Sequence, residues 1–478
     1  MLFNSINFAI FLPIVFTLYW LLAKQNLRFQ NILLLISSYF FYSCWDWRFL
    51  FLLIFSTVLD YFTAIQIAKT SNKKYKKFWF WFSITVNLGF LAVFKYYDFF
   101  ITSFANAIAI VGINTNPYVL HVILPVGISF YTFHGLSYVI DIYNNRIKPE
   151  KNVIDYAVFV SFFPLLVAGP IERATHLLPQ IKEKRIFDYC KAVGGMRQIL
   201  WGLFKKIVIA DQCAHYANMI FINHAEYSGS TLVLGLVFFS FQIYCDFSGY
   251  ADIAIGTARL FGIDLLRNFA FPYFSRNIAE FWRRWHISLT TWFRDYIYLP
   301  LGGSKGGKWV KVRNVMFIFL VSGLWHGANW TYIIWGLLNG LYVLPTILFT
   351  SGKKTTEIVA AGKFLPTLKE FLSIILTFIL TLFAWILFRS TSIKSAISYA
   401  SEVFSKSLFT VPTVRPTKIF LLILIFMTIE WLGREEQFAI ANVGAKWSKG
   451  LRWLFYYLLV LTTLYFAGDE QQFIYFQF

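Results

Sequence analysis

The residues best suited to do chemistry in this chain are two histidines, His286 in FWRRWHISLTTWFRDYIYLPLGG and His326 in SGLWHGANW. An imidazole that is neutral near physiological pH can act as a general base. It takes the proton of a hydroxyl and makes that oxygen a better nucleophile toward a thioester or ester carbonyl. A second imidazole can orient the acceptor or stabilise the oxyanion of the attack. No carboxylate or cysteine stands three or four residues from either histidine, so no metal is expected. P-loop, GxGxxG and HExxH patterns are absent, which leaves NTPase, dinucleotide and zincin chemistry without support.

These residues sit in a chain built for lipid. Its 478 residues are 58% hydrophobic and 14% charged, with 55 Phe, 27 Tyr and 17 Trp, where a soluble chain would be about 25% charged. Apolar runs near 8–23, 29–43, 48–68 and 78–98 each reach the length of a spanning helix. Counting the runs that follow, roughly ten to twelve membrane segments are expected, several of them re-entrant. The run YAVFVSFFPLLVAGPIERATHLLPQ is interrupted by Pro164 and Pro170 and reads as bent or re-entrant. No repeat and no separate soluble domain is visible, so 1–478 reads as one integral-membrane domain with a histidine-bearing core at 272–340.

The net charge is +19, from 43 Lys and Arg against 24 Asp and Glu. The basic residues gather in short links between apolar runs, which is the positive-inside pattern of a membrane protein rather than a nucleic-acid footprint. Lys24 and Arg28 follow the first run and KTSNKKYKK follows the third, while the link at 43–48 is nearly free of cations. This places the N-terminus outside, on a retained first helix. Four scattered cysteines lack any CxxC spacing, so no zinc knuckle or disulfide framework is expected.

Read as one helix, 279–300 puts Trp282, His286, Leu289 and Phe293 on one face and Arg283, Arg284 and Arg294 off it, the pattern of an interfacial amphipathic helix. The loop LGGSKGGKWVK then either meets an acidic carrier or the phosphates of a CoA-like donor, or simply anchors the cytoplasmic face. His326 falls at a break between two apolar runs, beside Gly327, where a polar group can reach a cavity rather than lipid. Asp246 and Asp252 lie in an apolar run, with two readings open: structural hydrogen bonding to a nearby Arg, Tyr or backbone N–H, or the wall of a polar chamber. His134 reads first as a hydrogen-bonded packing residue. Trp325, Asn329, Trp285, Arg283, Asp246 and Asp252 are the candidate lining residues.

The two histidine motifs, in this order, resemble those of the membrane-bound O-acyltransferase (MBOAT) family, with support from LPVGISFYTFHGLSYVIDIY, FFPLLVAGPIERATHLLPQI, YCDFSGYADIAIG and FIYFQF. The likeness runs nearly the whole length. The flanks RDYIYLPLGG and SGLWHGANW are more similar to the alginate and peptidoglycan O-acetyltransferase branch than to the D-alanyl transferases. The resemblance implies an all-α polytopic membrane fold, a ring of tilted transmembrane and re-entrant helices around a central tunnel. It implies that His326 is the catalytic base and that His286 occupies the family's second position, which is Asn in several other members. It further implies transfer of an acyl group, acetyl in this branch, from a cytoplasmic thioester such as acetyl-CoA or an acyl carrier. The group would pass to hydroxyls of an extracytoplasmic polysaccharide or to a periplasmic SGNH-type partner, at the bacterial cytoplasmic (inner) membrane. The acceptor stays open between alginate, another exopolysaccharide, peptidoglycan and teichoic acid.

Two other classes stand beside this one. A transporter of an anionic or acylated small molecule would use Asp246, Asp252 and His326 on broken helices, and it predicts inverted repeats that the chain does not display. A non-catalytic scaffold would have no need of intact histidine motifs.

Overall fold

The computed structural model describes residues 1–23, 26–120, 123–167, 169–349, 358–468 and 471–474. Lys24, His121, Ala168, Lys353, Lys354 and the last four residues of FIYFQF lie outside the described residues. All regular structure among the described residues is helical, and the chain is an all-α polytopic membrane protein. Hydrocarbon offers backbone groups no partner, so apolar runs of this length must satisfy their N–H and C=O groups within the segment. Five described helices are long and apolar enough to cross a membrane: Trp47–Lys69, Lys73–Ala109, Gly229–Leu260, Trp330–Phe349 and Leu368–Arg389. Other apolar runs form shorter or less apolar helices, among them Ile6–Ala23, Leu27–Ser43, Lys308–His326 and Thr417–Leu432. The run through Pro164 breaks into Val153–Ser161, Phe163–Leu166 and Ala174–Lys182. A nine-residue helix rises only about 14 Å, half of a bilayer core.

The chain divides into two compact units, residues 1–192 with 258–266, and residues 193–257 with 267–478. In the first, Trp47–Lys69 packs against Lys73–Leu91 and Ile128–Tyr143. The seam holds a buried Asp60, which accepts from Ser83 Oγ and Asn87 Nδ2, each at 2.7 Å. His134 Nε2 accepts from the Glu172 N–H at 3.1 Å. The buried Glu172 carboxylate receives the Leu266 N–H at 2.6 Å and His176 Nδ1 at 2.8 Å. The bond to Glu172 raises the His176 imidazole above its ordinary value of 6.5. A histidine raised on folding stabilises the fold below its unfolded value and loses that contribution as pH climbs through the folded value. The His176 side chain is 37% exposed, so screening keeps the effect small, under about 1 kcal/mol. His176→Gln is therefore expected to lower the unfolding temperature in detergent near pH 6 and to have little effect near pH 9. An equal cost at both pH values would contradict this.

In the second unit the Gly229–Leu260 helix touches its neighbour Tyr189–Leu203 backbone to backbone. A Cβ on Gly202 would meet the Gly249 carbonyl oxygen at 2.6 Å, and one on Gly256 would meet that of Gly195 at 2.5 Å. Such small-residue contacts let membrane helices approach closely. The following π-helical turn, Phe204–Ala210, carries Lys205 and Lys206, both buried. Lys308–His326 and Trp330–Phe349 form a helical hairpin closed by the same device. Here a Cβ on Gly323 would lie 2.3 Å from the Tyr332 carbonyl oxygen, and one on Gly336 would lie 2.2 Å from that of Phe319. Because both obstacles are backbone, Gly336→Val must push the helices apart. It is expected to destabilise the protein by about 1–3 kcal/mol, read as a lower thermal midpoint in detergent. An unchanged midpoint would show that the hairpin does not pack this way.

Candidate active site

His286 does not lie within one continuous helix. The 279–300 stretch folds as Ile278–Arg284, a break at Trp285 and His286, then Ile287–Phe293 and a π-helical turn, Arg294–Tyr298. His286 has φ +44° and ψ +55°, a left-handed conformation that costs a residue with a Cβ roughly 1–2 kcal/mol. The cause is tertiary. Asn268 O accepts the Ile287 N–H at 2.8 Å, and Arg284 O accepts the Ala270 N–H at 2.9 Å, so segment 268–270 holds both sides of the turn. The turn directs His286 inward rather than along a membrane surface, and the residue is buried. The preceding helix is capped by Asn277, whose side chain accepts from Glu280 N–H at 2.9 Å. Its charges are matched, with Glu280 bound by Arg276 at 3.1 Å and by Arg284 at 2.8 Å.

The His286 ring is oriented by a carboxamide. Its Nδ1 lies 3.1 Å from Asn268 Oδ1, which also accepts from Ser288 N–H at 3.3 Å and Ser288 Oγ–H at 2.9 Å. An oxygen facing a backbone N–H can only accept, so the neutral imidazole donates through Nδ1 and carries its lone pair on Nε2. Phe247 stands edge-on to the ring at 4.7 Å between centroids. In this tautomer His286 suits orientation of a hydroxyl by accepting its proton in a hydrogen bond. It could donate to an oxyanion only after protonation.

His326 is the last residue of its helix, and Gly327 follows in an extended conformation. A Cβ on Gly327 would meet the Tyr332 ring at 2.2 Å, which is why the chain turns back on a glycine. Three aromatic rings surround the imidazole near right angles: Trp325 and Trp335 each at 4.9 Å, and Phe388 at 5.3 Å. The Trp325 ring also lies 6.0 Å from that of His286. Both histidines line one cavity of about 490 Å³, within the range of small-molecule sites. Its other polar lining includes Arg283, Thr290, Ser322 and Tyr298, set among apolar residues such as Leu289 and Phe319.

Of the candidate lining residues, Arg283 borders this cavity, and Trp325 lies against both imidazoles. Trp285 is buried and packs on Phe281 at 5.3 Å. Asn329 accepts the Thr331 N–H and donates to Thr391 O, each at 3.0 Å. Asp246 and Asp252 are not among the residues bordering the cavity. Instead Lys206 Nζ reaches Asp246 at 2.9 Å and Asp211 at 2.7 Å, and Lys205 Nζ reaches Asp252 at 2.6 Å. Asp246 also accepts the Ile474 N–H at 2.7 Å. The partners are thus lysines as well as a backbone amide, with Gln198 Nε2 donating to Asp252 at 2.8 Å. Asn268 was not foreseen, since nothing in RNFAFPYF marks it and its partner is remote in sequence. Among the described residues, no three His, Cys, Asp or Glu side chains stand together as a metal site would require.

Fold and site together define a polytopic membrane protein with two buried histidines on a single aromatic-walled cavity. The chain belongs to the membrane-bound O-acyltransferase family, whose description matches residues 146–388, and it is an O-acyltransferase. It is 38% identical over 426 residues to the peptidoglycan O-acetyltransferase of Helicobacter pylori, covering 83% of this chain and 78% of that one. It is 38% identical over 408 residues to the probable alginate O-acetylase AlgI of Pseudomonas aeruginosa, covering 85% and 75%. A more distant relative, the teichoic acid D-alanyltransferase of Bacillus subtilis, is 29% identical over 275 residues, covering 55% and 68%.

The Trp325 ring neighbours both imidazoles, 4.9 Å from His326 and 6.0 Å from His286 between centroids. Trp325→Leu is expected to slow transfer by up to about a hundredfold through misplacement of the reacting groups, with the elution profile and helix content unchanged. A wild-type rate would show that the ring only fills space.

Proposed function

We propose that this protein transfers an acetyl group from a cytoplasmic thioester, acetyl-CoA or an acyl carrier, toward hydroxyls on the far side of a bacterial inner membrane. The acceptor class is an extracytoplasmic polysaccharide, reached directly or through a periplasmic SGNH-type partner, and the N-terminus faces outward. The observation that carries this reading is that His286 and His326 border one cavity, in a chain whose relatives are named as O-acetylating enzymes of alginate and peptidoglycan.

His326 acts as the general base. It removes the acceptor hydroxyl proton as the oxygen attacks the thioester carbonyl carbon, giving a tetrahedral oxyanion and an imidazolium. The C–S bond then breaks, and the imidazolium returns the proton to the leaving sulfur, so that ester and thiol leave together with a neutral histidine. His286, fixed with its proton on Nδ1, holds the acceptor hydroxyl at Nε2 and so aligns it for attack.

The experiment uses membranes containing the protein, radiolabelled acetyl-CoA, and label counted in the polymer fraction. His326→Ala is expected to reduce transfer by about 10²–10⁴-fold at equal protein level. Transfer by this variant at the wild-type rate would remove His326 from the reaction.

A further inference from the structure

Only one end of the Asn268 carboxamide faces His286. Its Oδ1 is identified by the Ser288 N–H that donates to it, so Nδ2 carries its two N–H groups elsewhere. Asn268 is 0% exposed, and among the described residues its Nδ2 meets no hydrogen-bond acceptor. A buried amide left in that state is unfavourable, which makes a partner outside the protein groups the expected solution.

Asn268 also borders a second, far smaller cavity, of about 10 Å³, together with Lys205, Tyr244, Asp252, Arg267 and Glu430. That is room for about one water, in a setting polar enough to keep it. Asp252 is matched by Lys205 at 2.6 Å, and Lys205 donates also to Ser248 Oγ at 3.0 Å. Glu430 differs. It is buried at 2% exposure, and its two oxygens are held by neutral donors, Tyr244 O–H at 2.6 Å and Trp201 Nε1–H at 3.3 Å. A carboxylate can accept about four hydrogen bonds, so Glu430 keeps acceptor capacity on a cavity that Asn268 also borders.

We infer that this cavity holds one ordered water that accepts from Asn268 Nδ2–H and donates to the Glu430 carboxylate, making Glu430 and Asn268 positioning residues for His286. The inference rests on the proposed role of His286 in acyl transfer. Its consequence is selection of a tautomer. If the carboxamide were reversed, Nδ2 would face the imidazole, the ring would present a lone pair at Nδ1, and its proton would move to Nε2. The Ser288 N–H at one end of the amide and the water at the other act together to fix the end that faces the ring. Through the water, Glu430 keeps the Nε2 lone pair directed at the acceptor hydroxyl. Such outer partners typically change activity by about 10–100-fold when removed.

The test is a double-mutant cycle in the membrane transfer assay. Glu430→Leu removes the acceptor that holds the water and is expected to lower kcat about tenfold with KM little changed. Asn268→Asp presents an oxygen to His286 at either end, so it keeps the proton on Nδ1 without the water, and Glu430→Leu in that background is expected to cost much less than it does in the wild type. Additive effects of the two substitutions, or a wild-type rate for Glu430→Leu, would overturn the inference. A second readout does not depend on activity or on variants that fold. A high-resolution structure of the wild-type protein in a nanodisc should place one water within about 3.2 Å of both Asn268 Nδ2 and a Glu430 carboxylate oxygen. An ordered site without it overturns the inference. If the water is present but His286→Ala transfers at the wild-type rate, the fault lies with the role given to His286 and not with the water.

Discussion

With φ at +44° and ψ at +55°, His286 occupies a backbone region that L-residues avoid, and it stays there because Asn268 and Ala270 bind the chain on both sides of it. A continuous helix through this point would carry the imidazole around on a 3.6-residue period, toward whichever face the neighbouring aromatics took. The break uncouples the ring from that period. It turns a surface-reading sequence inward and delivers the side chain to the cavity that His326 also reaches. Left-handed residues with a Cβ gather where surrounding structure over-determines them, often at functional sites. Here the determining groups can be named: one backbone carbonyl, one side-chain oxygen and one backbone N–H.

Around this turn the second unit is held by contacts that leave little freedom. The glycine approaches at Gly202, Gly249 and Gly256 bring two helices so close that the lysines of the π-helical turn are buried among them. A buried ammonium without a counter-charge would be prohibitive, and each has a carboxylate within 3 Å. Asp246 and Asp252, open in sequence to either a structural or a chamber-lining reading, are each bound by a lysine. The cavity beside the histidines keeps a different character, mostly apolar with a few convergent polar groups, one of them Arg283.

Much of this is legible in the sequence, and the exceptions share a cause. Apolar runs identify the membrane helices, since length and hydropathy are local properties. The turn after His326 is also readable, because Gly327 sits between two apolar runs. The break at His286 is not, because a stretch with Trp282, Leu289 and Phe293 at helical spacing looks continuous, and what interrupts it comes from segment 268–270. The partners of Asp246 and Asp252 were hidden similarly. Lys205 and Lys206 stand in a run that reads as plain helix, and only the π-helical turn and the close helix contacts place them opposite the acids. Periodicity reports which face a residue shares, and it is silent on hydrogen bonds between segments remote in the chain.

The two imidazoles also differ in what surrounds them, and this bears on how a proton would move. The environment of His286 includes a carboxamide that names the nitrogen bearing its proton. That of His326 includes three rings, which constrain its plane. Separating charge in an aromatic-walled space is expensive, because the attraction lost on parting the ions is large at low dielectric. On the proposed reading, an imidazolium at His326 and the nascent thiolate must therefore stay close, and the proton that leaves the hydroxyl is best returned directly to sulfur. The histidine held by Asn268 through Nδ1 keeps Nε2 toward the hydroxyl and so serves as its guide.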